Sequence, residues 1–213
     1  MARDDDAPRA APPPSVDHPW FNRVYPWTEP ALERIVGSAR RVQNRQACGR
    51  TLIIGAGTGR DVPALGPRVH EVVLLEPDRL MRDTLQRRFP ALPVMGHPAE
   101  AMPFPDEAWD TVLSTLVLCS VHDVRQVLAE VFRVLRPGGQ YLFLDHVGSA
   151  VPLWRTVQGG LEPVWRRVGG GCHLTRDIEA AVRASPLHLD RWETVRRGGL
   201  LPVIRGRAIK PTP

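Results

Sequence analysis

The sequence predicts an α/β fold: a doubly wound, Rossmann-like sheet of seven strands, mostly parallel, with helices on both faces. Three observations predict it. Apolar runs of strand length alternate with helical patterns from Thr51 to Asp145, the rhythm of a parallel sheet covered on both sides. The first run, Thr51-Leu52-Ile53-Ile54, feeds directly into Gly55-Ala56-Gly57-Thr58-Gly59. The second, Val72-Val73-Leu74-Leu75, ends on Glu76, 17 residues after Gly59. Glycines there permit positive φ and let the backbone approach a ligand closely. An acid at that spacing is placed to hold ribose hydroxyls at the tip of a second parallel strand. Together they point to an adenosine-containing cofactor. Taken singly, each has a plain structural alternative: a glycine turn, and an ordinary strand-end acid followed by the turn at Pro77-Asp78.

Residues 1–16, rich in Ala, Pro and Asp, read as a disordered tail. Residues 17–46 read as a helical lid segment. It opens on the aromatic stretch holding Trp20, Phe21, Tyr25 and Trp27, and Leu32, Ile35 and Val36 predict a helix over 29–42. The main domain spans 47–213. Its strands are expected at 51–54, 71–75, 92–95, 109–114 and 140–145, with helices at 59–65, 78–88 and 123–135. In the last helix Val124, Val127, Leu128, Val131 and Leu135 form one stripe, and Arg136-Pro137-Gly138-Gly139 is a strong stop before the fifth strand. The rhythm breaks at 147–174, which holds Trp154, Trp165 and three consecutive glycines and reads as an acceptor-site insertion. A short helix is expected from Thr175, capped by its hydroxyl, and ending at Ser185-Pro186. Strands at 189–196 and 202–209 complete the sheet.

Composition narrows the function. The chain has 213 residues, net charge +5, and a single lysine, Lys210, among its basic residues. The arginines are scattered rather than blocked, which argues against a nucleic-acid partner. Cys48, Cys119 and Cys172 are far apart and include no Cys-x-x-Cys, unlike a disulfide scaffold or zinc site. The histidines show no metal-ligand spacing, so no metal is expected. No apolar run approaches a membrane span and no signal peptide is visible. The expectation is a cytoplasmic protein.

Further motifs add a family resemblance. After the glycine loop and Glu76 come Ala99-Glu100-Ala101-Met102-Pro103-Phe104-Pro105-Asp106-Glu107-Ala108-Trp109-Asp110 and Val131-Phe132-Arg133-Val134-Leu135-Arg136-Pro137-Gly138-Gly139. Over roughly residues 50–146 the series resembles a class I S-adenosylmethionine (SAM) dependent methyltransferase. More narrowly, Thr115-Leu116-Val117-Leu118-Cys119-Ser120-Val121, Asp145-His146-Val147 and Gly171-Cys172-His173-Leu174-Thr175-Arg176-Asp177 are similar to stretches of the methyltransferase-like seven proteins, which methylate small alkyl thiols. The chain departs from the animal members in lacking their apolar N-terminal membrane segment.

The resemblance implies SAM as cofactor and S-adenosylhomocysteine as product. Gly55, Ala56, Gly57, Gly59 and Asp61 would meet the amino-acid end, Glu76 and Pro77 the ribose, Ala99 and Glu100 the adenine edge, and Leu116 the floor near the sulfonium. Methyl transfer then needs alignment and a suitable nucleophile. A thiol has a pKa of about 8.5 and needs only modest help. His146, ending the fifth strand at the sheet's carboxyl edge, is the first candidate base, with Asp145 to orient it or bind the acceptor. A polar strand end is the alternative. His173 is the second candidate; neighbouring Cys172 has no base or orienter visible in the sequence and reads as a buried thiol. Trp20, Phe21, Tyr25 and Trp154 are candidates to line an apolar acceptor pocket, or else to anchor helices. The predicted function is methylation of a small-molecule acceptor, foremost a thiol. O- or N-methylation of a small metabolite, or SAM binding without turnover, are the alternatives.

Overall fold

A computed structural model describes residues 19–212 of the chain; the proposed tail at 1–16 lies outside them. The elements in order are α1 (Pro19–Asn44), β1 (Gly49–Ile54), a 3-10 turn (Val62–Ala64), β2 (Val69–Leu75), α2 (Arg79–Arg88), β3 (Val94–Met95), β4 (Trp109–Thr115), α3 (Val124–Val134), β5 (Leu135–His146), α4 (Pro152–Val168), α5 (Ile178–Arg183), β6 (His188–Arg196) and β7 (Val203–Ile209). They form one seven-stranded sheet in the order β3-β2-β1-β4-β5-β7-β6. The first five strands pair in parallel, while β7 runs antiparallel to both β5 and β6. From β1 the chain winds outward to β2 and β3, then returns to place β4 on the other side. The sheet therefore reverses its winding between β1 and β4, where open α/β sheets form a crevice at the carboxyl ends of their strands.

Period-two alternation sorts the strands between two faces. Leu52 and Ile54 of β1, Val112 of β4 and Tyr141 and Phe143 of β5 pack with Val127, Leu128 and Val131 of α3 and with Ile178 and Val182 of α5. Ile53, Leu74, Leu113 and Leu142 face the other way, toward Leu85 of α2. On that side Leu144 meets Val36 and Ala39 of α1. Both faces of the parallel strands are covered, which is why they read as continuous apolar runs.

Several boundaries differ from the sequence expectation for identifiable reasons. The helix expected at 59–65 is only the three-residue turn with Pro63 in its opening positions, and Leu65 is already extended. The expected stop at 136–139 lies inside β5: Leu135 pairs with Trp109, and the ladder resumes at Gln140 with Thr111. Gly138 takes φ +74° within that irregularity. The last helix starts at Ile178, capped by Asp177, whose carboxylate accepts from Ala180 N. Thr175 instead gives its hydroxyl and N–H to Glu162. α1 begins ten residues before the expected 29 and runs through the aromatic stretch. Phe21 and Tyr25, one turn apart, set their ring centroids 5.0 Å apart with the planes tilted by 48°. The 147–174 segment holds a 17-residue helix, α4.

Candidate functional site

The loop from β1 to the 3-10 turn forms the floor of the site. Gly55 has φ +57°, and a Cβ there would stand 2.6 Å from the Val117 side chain. Gly57 has φ +55°, and a Cβ would meet nothing within 4 Å because the residue opens on a cavity. The two positions need glycine for different reasons: close packing below, free space above. Gly59 corrects the sequence reading. It does not line the cavity; its α-carbon abuts Phe89 and Leu85, so this glycine lets α2 pack against the loop.

Glu76 closes the loop from β2. One carboxylate oxygen accepts Gly57 N at 2.7 Å and the other Asp78 N at 2.9 Å. Burial pushes its pKa up to about 7, against the pull of the two backbone N–H groups. A carboxylate this desolvated, with lone pairs left toward the cavity, is suited to further hydroxyl donors.

Asp61 is tied to α1 and β4. Its Oδ1 accepts from Arg40 Nη1 at 3.0 Å, Asn44 Nδ2 at 2.9 Å and Thr115 Oγ1 at 2.8 Å. The charge is thus paired and oriented on the cavity wall. Arg40, Asn44 and Thr115 were missed in the sequence. Arg40 and Asn44 continue the buried stripe of Val36 and Ala39 at helical spacing, but polar residues at a helix end read as its solvent face.

These groups border a cavity of about 740 Å³ running beneath α1 and α4. Ala56, Asp61, Pro77, Pro98, Ala99, Glu100 and Leu116 all line it. Glu100 turns its Oε1 to His122 N at 2.9 Å, capping the approach to α3. Leu116 sits at φ +58°, unusual for a branched residue, with its N–H bound to Leu144 O at 2.7 Å. Such strain at a strand end is a mark of functional sites.

At the far end the cavity wall includes Phe21, Val24, Tyr25, Leu32, Trp165 and Val168. Trp165, not Trp154, is the tryptophan contributed by α4; Trp154 stands on the outer surface, 40% exposed. The side chain of Trp20 lies outside the described residues. Glu29 fastens α1 above the loop, accepting from Thr58 Oγ1 at 2.5 Å and Arg60 Nη2 at 2.6 Å.

His146 reaches the cavity from the end of β5, 3% exposed. Its Nε2 lies 3.4 Å from Leu200 O and its Nδ1 3.9 Å from Cys172 Sγ. A carbonyl only accepts, so the tautomer that bonds Leu200 O carries its hydrogen on Nε2 and leaves the Nδ1 lone pair on the side of the thiol. Burial holds its pKa below the usual imidazole value, leaving a neutral base. Asp145 is not its orienter, contrary to expectation. Alternation turns Asp145 to the other face of β5, where it is fully buried and accepts Cys119 N at 3.1 Å, with its second oxygen unpaired. Burial, then the neighbouring Cys119, holds that carboxyl well above the usual range.

Cys172 has the neighbours that the sequence did not reveal. His173 N binds Cys119 O at 2.8 Å, bringing the 171–173 segment against the loop after β4. A hydrogen bond from Cys119 lowers the Cys172 pKa against the effect of burial. His173 also lines the cavity, its Nδ1 3.0 Å from Glu162 Oε1. Burial, then Arg176, keeps that imidazole below its ordinary pKa.

Residues 52–143 match the family described as "Methyltransferase domain". The chain is 44% identical over 119 residues to rat thiol S-methyltransferase TMT1B, and 42% identical over 115 residues to human thiol S-methyltransferase TMT1A. Each match covers 49% of this chain and 45% of the relative, so the chain spans about half the length of the relatives it matches. Among solved structures, the Bacillus subtilis YcgJ protein superposes with a TM-score of 0.67 at 20% identity, covering 85% of this chain and 100% of that one. Geranyl diphosphate methyltransferase in complex with GPP and sinefungin gives 0.65 at 15%, covering 84% and 78%. The chain thus has the fold of these structures, and over about half of its length it resembles the methyltransferase-domain family and the thiol S-methyltransferases.

Proposed function

We propose that the protein transfers the methyl group of SAM to the thiol of a small apolar acceptor. The observation that supports it most is a single cavity joining the Gly57–Glu76 floor to an apolar chamber that ends on neutral His146 beside Cys172. The residues suit SAM at one end: open backbone at Gly57, a buried carboxylate at Glu76, and Asp61 held by Arg40 and Asn44. Bound there, SAM supplies an electrophilic methyl on a positively charged sulfur.

The chain's own residues do the rest. Glu76 accepts the ribose hydroxyls, and Asp61 and the glycine loop hold the amino-acid end. Phe21, Tyr25, Leu32 and Trp165 exclude water and orient the acceptor's apolar body. As the new carbon–sulfur bond forms, the acceptor's S–H proton passes to Nδ1 of His146, while Nε2–H stays on the Leu200 carbonyl. The products are the methyl thioether, S-adenosylhomocysteine and one proton, released later to solvent. Cys172 supports the sulfur preference, since its thiol already stands against that same ring nitrogen.

The test is S-adenosylhomocysteine release from purified protein with matched apolar thiols, phenols and amines. Thiol-selective release is the expected result. Turnover confined to phenols or amines would retain the methyltransferase and reject the thiol assignment.

A further inference from the structure

Cys119 and Cys172 stand far apart in the chain and side by side in the fold. Cys119 lies in the loop after β4, and Cys172 follows the glycines that end α4. Gly170 and Gly171, at φ +61° and +82°, turn the chain back off the helix, with Gly171 N donating to Arg166 O at 3.0 Å. The returning chain then docks on the β4 loop: Cys119 O accepts the N–H of His173, the peptide that follows Cys172, at 2.8 Å. Hydrogen-bonded extended chains run about 4.8 Å apart, inside the span of about 4.4–6.8 Å between α-carbons that a disulfide bridges. The two thiols share a hydrogen bond, and neither is in a disulfide.

Their surroundings differ. Cys172 is half-buried on the cavity wall, with Sγ 3.9 Å from His146 Nδ1. Arg176, whose Nη1 donates to Leu118 O at 2.7 Å, places a positive charge near both thiols. The hydrogen bond from Cys119 holds the Cys172 thiol below its ordinary pKa, helped by Arg176 and opposed by burial. Cys119 is 1% exposed, with Sγ 3.5 Å from Ser120 Oγ. Its hydrogen bond with Cys172, then burial, keeps it a thiol. An accessible thiolate backed by a buried second thiol is what exchange with a disulfide requires. Cys48 has no such setting. It precedes β1, accepts from Gln140 Nε2 at 3.6 Å and does not line the cavity.

We propose that Cys172 and Cys119 form a thiol–disulfide exchange centre that reduces small apolar disulfides entering the chamber. Cys172 passes its proton to His146 Nδ1, and its sulfur attacks one sulfur of the ligand. The ligand's S–S bond breaks; the first thiolate leaves with the proton from His146, and the other half stays on Cys172 as a mixed disulfide. Cys119 Sγ then attacks Cys172 Sγ, that bond breaks, and the second thiol departs with the Cys119 proton. One disulfide and two cysteine thiols thus become two small thiols and a Cys119–Cys172 bridge, which an external dithiol reduces again. The ligand class follows from the wall around the pair, where Phe21, Leu32, Ile35 and Val168 offer apolar surface. The thiols released belong to the acceptor class of the proposed methyl transfer. That link rests on the methyl-transfer reading; the exchange itself does not.

The experiment treats the reduced full chain, freed of reductant and with neither SAM nor methyl acceptor present, with dipropyl disulfide or with bis(2-hydroxyethyl) disulfide. These two differ only by methyl for hydroxyl at each end. Intact mass and peptide mapping follow the protein, and released thiol is measured alongside. The expected product is two hydrogens lighter, carries a Cys119–Cys172 link, keeps Cys48 reduced and is restored by dithiothreitol. Dipropyl disulfide should react at least about tenfold faster, because the hydroxyls would be buried against apolar wall. Cys119→Ser should stop at a propylthio adduct on Cys172, and Cys172→Ala should slow thiol release by at least about tenfold. An unchanged melting temperature verifies the fold of each variant, and the native-chain map stands without them. A lasting adduct on native Cys172, a link through Cys48, equal rates with the two disulfides, or no thiol release would each overturn the proposal. Because no methyl transfer is read, failure of that assignment would leave this outcome unchanged.

Discussion

Glu76 is a carboxylate that folding buries before a ligand arrives, and burial pushes its pKa up to about 7 despite the two backbone N–H groups. Ribose hydroxyls bond best to the ionised form, so binding should draw the pKa down again. SAM affinity should therefore rise with pH, falling by up to about tenfold per unit below pH 7 and levelling above it. Calorimetric titration across that range checks this. Glu76→Ala should weaken binding by about 100-fold, the loss of two charge-assisted bonds, and flatten the pH profile. His146 has the opposite signature. Its lowered pKa keeps the base neutral, so the acid limb of kcat/KM should fall below the ordinary value of about 6.5. His146→Ala should lower kcat by on the order of 100-fold with SAM affinity nearly unchanged. Equal losses in both would point to collapse of the pocket.

At the scale of elements, the parallel strands were legible because both sheet faces are buried, which leaves uninterrupted β-branched and leucine runs between glycine and proline breaks. The floor of the site was legible for the same reason: Gly55, Gly57 and Glu76 sit at strand ends, where spacing along the chain fixes position in space. What the sequence concealed depends on packing between distant segments. Arg40 and Asn44 became ligands of Asp61 only when α1 crossed the sheet edge. Asp145 and His146 are adjacent in sequence, yet strand alternation places them on opposite faces and gives the imidazole to Cys172 instead. The helical reading stopped short of α1's true start because the apolar spacing of Leu32, Ile35 and Val36 marks only its later turns, whereas contacts of Phe21, Tyr25 and Glu29 with the site stabilise the earlier ones. That last contact is testable. Glu29→Gln removes the ion pair to Arg60, whose side chain is 39% exposed. A partly exposed pair contributes up to about 1 kcal/mol, so KM for SAM should rise by about two- to fivefold. An unchanged KM would mean that α1 does not govern cofactor retention.

Over the whole molecule, one sheet edge organises two chemistries. The carboxyl ends of β1 and β2 bring backbone and acid to the proposed cofactor end, while β4 and β5 end in Leu116 and His146 on the cavity wall. α1 and α4 roof the chamber, and their meeting point is also where the surface becomes apolar. Under the proposed function that region would govern entry of the acceptor and exclusion of water, while the glycine floor lies at the other end of the cavity.

The most direct measurement offers the protein one acceptor bearing both a thiol and a hydroxyl on the same apolar frame, together with methyl-labelled SAM. Mass spectrometry then locates the label. The account predicts the methyl group on sulfur, with product lost in His146→Ala; label on oxygen would contradict it.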